Sequence, residues 1–240
     1  MSTYAIAPES PPAPRLIAPL AHTIALVLLF VVMAAGGALF QQRAAAHGAT
    51  LPAPSRPTMV YLSLIAMEWG LVLYVVRVGL RRTGTTLREV VGGRWSGPRD
   101  VLRDVVVALT AWGVWTLISW TASRAAGPEH VASVGSLLPH HPIDVALWVA
   151  LSVSAGFAEE LVFRGYLFTQ FRALTRNTGV ALILQALLFG ISHGYQGVRA
   201  CAMISVYGLL FGALALVTRS LRPGMIAHAW TDVAAGLFRI

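Results

Sequence analysis

An all-α bundle of about seven membrane-spanning helices is the fold class that this sequence predicts, and three observations carry it. Of its 240 residues 56% are hydrophobic and only 12% are charged, against about 25% charged in an average soluble domain, and the mean hydropathy is +0.68. The apolar residues gather into runs close to the roughly 20 residues that a helix needs to cross the hydrocarbon core. The eighteen cationic residues are all arginine and lie mostly at the ends of those runs. The formal charge of +8 therefore follows membrane topology, and nucleic acid is not an expected partner. The single cysteine, Cys201, excludes an internal disulfide framework and reads as packing within an apolar segment.

Taken in order, residues 1–14 are rich in Pro, Ser and Ala and read as a disordered cytoplasmic tail. Leu16 to Phe40 is apolar apart from His22 and Thr23. It is longer than the roughly 7–15 residues of a signal-peptide core, so it reads as a retained span. Beyond Pro52, Pro54 and Pro57 a second span runs from Met59 to Leu80, with Glu68 and Trp69 at mid-depth. Glu68 needs a partner there, and reads as half of a buried structural pair or as an inward-facing polar contact. The arginine-rich connection from Arg77 to Arg103 is the strongest cytoplasmic marker. In the third span, Val101 to Ser123, Trp112, Trp115 and Trp120 read as lipid-facing or interfacial anchors. The loop from Arg124 to Pro142 holds one arginine with His130, His140 and His141, which places it outside. Adjacent histidines in a loop lack the fixed geometry of a metal-binding pair and read as solvated.

The fourth apolar stretch, Ile143 to Phe171, contains Glu159, Glu160 and Arg164 in its second half. A charge at the centre of a membrane helix costs roughly 2.5–3.5 kcal/mol, so such residues face a protein interior or a water-filled cavity. Glu160 and Arg164 are one turn apart on one face and can neutralise each other. Glu159 points about 100° away and is left as a carboxylate free for proton transfer. Three more spans follow, at about Val180 to Tyr195, Ala200 to Val217 and Met225 to Phe238. Gly190 with Gly194, and Gly208 with Gly212, have the spacing that lets membrane helices approach closely.

Two further histidines fall within these spans, His193 and His228, the latter one turn before Asp232. At 1.5 Å per residue Glu159 and His193 lie roughly 20 Å from the cytoplasmic ends of their spans, and His228 and Asp232 roughly 9–15 Å. One water-filled cleft opening towards the cytoplasm can therefore hold all of them. The chain divides into the tail, N-terminal membrane helices over 15–142 and a polar-centred core over 143–240.

In this core the sequence resembles the CAAX prenyl protease and bacteriocin-processing (abortive-infection) family of intramembrane proteases. The pattern E-E-x-x-x-R is matched by Glu159, Glu160 and Arg164, F-x-x-x-H by Phe189 and His193, and H-x-x-x-N or D by His228 and Asp232. The resemblance implies an integral enzyme of a bacterial plasma membrane that hydrolyses a peptide or protein substrate. It further implies that Glu159 activates water, His193 helps to hold it, His228 and Asp232 stabilise the oxyanion, and Glu160 and Arg164 support the site. The chemistry concurs, because peptide hydrolysis needs a base for water and donors for the developing negative charge. Glu159, His193 and His228 would also suit zinc, which takes three protein ligands and an open water position. Asp232 is the better metal ligand, whereas the Asn that the pattern also admits donates to an oxyanion; without a metal Asp232 is either protonated or orients His228. The alternative is a non-proteolytic immunity or scaffold protein that keeps the fold.

The arginine asymmetry makes a topological prediction: a cysteine introduced at Ser133 is labelled by an impermeant reagent from outside only. Labelling from the cytoplasmic side alone would invert the orientation.

Overall fold

The computed structural model describes residues 14–46, 57–126 and 137–238. The tail up to residue 13, the stretch with Pro52 and Pro54, and the part of the Arg124–Pro142 loop with His130 lie outside the described residues. Helix α1 (Leu20–Ala46) is followed by α2 (Pro57–Leu73), which continues through a π-helical segment (Tyr74–Gly79) and a 3-10 turn (Leu80–Thr83). A short α3 (Leu87–Val91) precedes α4 (Pro98–Ala126). Next come α5 (Pro142–Glu159), a second π-helical segment (Glu160–Leu167) and α6 (Phe168–Thr175) without a break. Helices α7 (Thr178–Ser192), α8 (Val198–Thr218) and α9 (Arg222–Phe238) complete the bundle. No strand occurs among the described residues.

Five segments have the length and apolarity of a membrane span: Leu20–Leu39, Pro57–Thr83, Pro98–Ala125, Pro142–Thr175 and Val198–Thr218. The other two expected spans are shorter helices, α7 with 15 residues and α9 with 17, or about 22 and 26 Å at the α-helical rise. Helix α7 stops at His193, where a 3-10 turn (Gly194–Gln196) and the left-handed-region Gly197 redirect the chain. Helix α9 starts inside the bundle. The Leu221 N–H donates to the Val91 carbonyl, and Arg222 pairs at 3.1 Å with the buried Asp104. The 3.5 Å approach of His228 to Glu159 puts at one level two residues that counting along the separate helices sets apart.

The continuous rod from Pro142 to Thr175 is the axis of the fold. Pro142 at its first position is pre-set for a helix start, and Arg176 in the left-handed conformation ends it. Helix α2 lies beside α5 in parallel. The Thr58 hydroxyl donates to Asp144 at 3.2 Å, Tyr61 meets Trp148 edge-on, and the Trp69 indole N–H donates to Ser154 at 3.2 Å. Helix α1 is tied to the same rod by polar groups. His22 Nδ1 lies 2.7 Å and Thr23 Oγ1 2.8 Å from the Tyr166 hydroxyl, and Gln170 donates to Thr23 at 2.6 Å. The two interruptions of the first apolar run are thus its attachment points.

Close approach sets the remaining contacts. A Cβ on Gly156 would fall 2.7 Å from the Ala229 nitrogen and 2.9 Å from the Met225 oxygen, so α9 lies directly on α5. Gly190, Gly208 and Gly212 line the α7–α8 seam, whereas Gly194 faces Ala34 of α1. Two of the expected tryptophan anchors instead pack inward. Trp115 is 4.8 Å from Tyr207 and Trp112 is 6.1 Å from Trp230, while Trp120 is exposed beneath Arg124.

Candidate active site

The π-helical segment begins one residue after Glu159, and all eight of its side chains are buried. Isolated π turns inside α-helices concentrate at functional sites, and this one separates two neighbouring glutamates. Glu160 and Arg164 lie within it as a fully buried ion pair, with Arg164 Nη1 3.3 Å from Glu160 Oε1. The rest of the guanidinium meets rings. Its carbon lies 4.0 Å from the centroid of Phe189, 5.9 Å from Tyr207 and 6.0 Å from Phe211. Aromatic faces attract a desolvated cation, and here they surround an arginine whose nitrogens make no hydrogen bond.

The same oxygen of Glu160 accepts a hydrogen bond from His228 Nδ1 at 3.0 Å. Because a carboxylate only accepts, the proton at this contact belongs to Nδ1. Gly224 keeps the approach open, since a Cβ there would crowd Glu160 Oε2 at 3.0 Å. The other imidazole nitrogen, Nε2, faces two carboxylates, 3.5 Å from Glu159 Oε2 and 3.7 Å from Asp232 Oδ2. Accessibility rises along this chain of groups. The Glu160 side chain is 0% exposed and that of His228 6%, whereas Glu159 reaches 17% and Asp232 36%. The mouth of the site is therefore at Glu159 and Asp232.

His193 caps the end of α7 with its Nδ1 2.9 Å from the Phe189 carbonyl. That carbonyl can only accept, so Nδ1 donates and Nε2 keeps its lone pair. Phe189 contacts both imidazoles, 4.9 Å from His193 and 6.2 Å from His228. Among the described residues no hydrogen bond or ion pair joins His193 to Glu159, His228 or Asp232. The structure thus brings five of the six expected site residues into direct contact and leaves His193 at the side.

The zinc set read from the sequence does not assemble. Among the described residues no three His, Cys, Asp or Glu side chains are grouped to hold a metal ion. Glu159 and His228 meet, but His193 is turned to its own helix. A cavity of about 500 Å³ lies elsewhere, on the far side of the π-helical segment, and is lined by Arg164, Gly165, Arg172, Arg219 and Glu89 without Glu159, His228 or Asp232.

One group at the site was not legible from spacing. Glu68 of α2 is buried, one of its oxygens has no hydrogen-bond partner among the described residues, and the charges that act on it are those of Glu159 and Asp232. It faces inward, and no ion pair holds it among the described residues. Its mid-span charge was visible, but the helix it would meet was not.

Residues 141–234 match the family described as Rce1-like, type II CAAX prenyl endopeptidase. Over this stretch the chain is similar to the CAAX prenyl protease family. No curated protein and no solved structure matches the chain. The CAAX protease match begins where α5 begins and takes in Glu159, Glu160, Arg164, His193, His228 and Asp232, while Glu68 lies outside it.

The geometry separates support from chemistry. Glu160→Gln and Arg164→Leu are expected to destabilise the protein by about 3–5 kcal/mol, the cost of leaving one partner of a buried pair alone, whereas Glu159→Gln leaves stability near wild type. Unfolding in mixed micelles reads the difference, and equal losses in all three variants would remove it.

Proposed function

We propose that this chain is an intramembrane endopeptidase in which Glu159 activates the attacking water. The observation that carries the reading is the division between neighbouring glutamates. Glu160 is fully buried against Arg164 and His228 Nδ1, while Glu159 keeps an accessible oxygen 3.5 Å from His228 Nε2. Glu159 takes a proton from water as the oxygen attacks the peptide carbonyl, and returns it to the leaving amine when the C–N bond breaks. His193 Nε2, left free by the bond at Nδ1, accepts from the same water. Glu160 fixes the His228 ring, so Nε2 is the nitrogen turned to the substrate, and when protonated it donates to the oxyanion. Asp232, one turn along α9, orients that ring from the open side. No step is routed through a metal, because the zinc set does not assemble.

Substrate meets the water at the mouth formed by Glu159 and Asp232, the most accessible members of the cluster. A scaffold role would give the accessible carboxylate no use.

In proteoliposomes, an internally quenched peptide ending in a prenylated cysteine and three further residues tests the reading. Wild type cleaves it, and Glu159→Gln and His193→Ala each lower kcat by about 10²–10⁴ while the peptide still binds. Asp232→Asn retains measurable cleavage, since the amide still orients His228. Wild-type rates for Glu159→Gln would overturn the mechanism.

A further inference from the structure

The cavity of about 500 Å³ behind the π-helical segment has no part in the hydrolysis, and its wall is unlike the acidic mouth at Glu159 and Asp232. It is built where helices end. Arg172 comes from the last turn of α6, Arg219 is the residue that follows α8, and Thr178 is the first residue of α7. Two of the candidate spans, Pro142–Thr175 and Val198–Thr218, stop at this place, which puts the cavity at the level of lipid headgroups. The arginine-rich connection closes it from below through Glu89, Val90 and Gly92.

The charges of the wall are unbalanced. Among the described residues neither the Arg172 nor the Arg219 guanidinium has a hydrogen bond or an ion pair. The one acid of the wall, Glu89, already accepts the Thr86 N–H at 3.3 Å in the capping box of α3. Arg164 borders the cavity too, but its side chain is 0% exposed and paired with Glu160. The start of α7, a helix of 15 residues, adds the positive end of its dipole.

The backbone that presents Arg219 is fixed. A Cβ on Gly92 would fall 2.6 Å from the Arg219 carbonyl oxygen, and two residues on the Leu221 N–H donates to the Val91 carbonyl at 3.0 Å. Arg219 itself holds the left-handed conformation, with φ of 52°. Two cations on separate helices thus share one space with no anion of their own.

We infer that this cavity binds a phosphate group, clamped between Arg172 and Arg219. A guanidinium presents a planar fork of donors that matches phosphate oxygens in pairs, and basic pockets between membrane helices take up anionic lipid headgroups. The phosphate comes from such a headgroup or from solution, and the contacts with the two arginines are the same for both. Binding here does not depend on the endopeptidase reading.

The full chain in dodecyl maltoside micelles, which contain no phosphate, tests the site with two probes. By native mass spectrometry wild type should retain phosphatidylglycerol, and Arg172→Ala combined with Arg219→Ala should weaken that binding about tenfold or more. Arg94→Ala combined with Arg99→Ala removes the same charge from exposed positions outside the cavity wall and should bind the lipid like wild type. Calorimetric titration with inorganic phosphate separates the two sources. Saturable heat in wild type that is lost with Arg172 and Arg219 assigns the site to free phosphate, whereas lipid retention without that heat assigns it to a headgroup. Failure of wild type to bind either probe, binding that survives the loss of Arg172 and Arg219, or an equal loss in both double variants would overturn the proposal.

Discussion

One buried carboxylate, Glu160, holds the site together. Its Oε1 meets Arg164 at 3.3 Å and His228 Nδ1 at 3.0 Å, joining the central rod to the last helix. A buried acid costs several kcal/mol unless it is paired and hydrogen-bonded, so both partners must arrive together. Arg164 is in turn kept by the rings of Phe189, Tyr207 and Phe211, contributed by α7 and α8. Three helices beyond the rod therefore meet at one residue, and the accessible acid beside it inherits a fixed imidazole.

Backbone approach makes this possible. Gly156 lets α9 lie against α5, and the Trp148 indole N–H donates to the Asp232 carbonyl at 2.9 Å, which pins α9 one turn beyond His228. The π-helical segment then turns Glu160 and Arg164 into the core, while Glu159, still α-helical, faces α2 and α9. Outside the site the same economy recurs, with Tyr166 and Gln170 holding α1 through His22 and Thr23. Without water at that depth, side chains must satisfy one another.

The legible part of this structure is the part carried by local spacing. Glu160 and Arg164 are four residues apart and meet; His228 and Asp232 are four apart and face one another at 3.7 Å. The helical class and the long apolar spans were likewise readable from hydropathy. What spacing could not convey was inter-helix depth. His228 reaches Glu159 at 3.5 Å, although counting along each helix separately sets them a turn or more apart. The bond of His193 to the Phe189 carbonyl keeps it off the acids and undoes the zinc set. Glu68 showed itself only as a charge needing a partner, because the groups that act on it are on other helices and carry the same charge.

The claim on which all this turns is that Glu160 and His228 act as one unit. A double-mutant cycle with Glu160→Gln and His228→Ala, read by equilibrium unfolding in bicelles, measures it directly. The account predicts a coupling of about 1 kcal/mol, within the range found for contacting pairs in membrane proteins. Single effects that simply add, to within about 0.3 kcal/mol, would contradict it and leave His228 unsupported at the site.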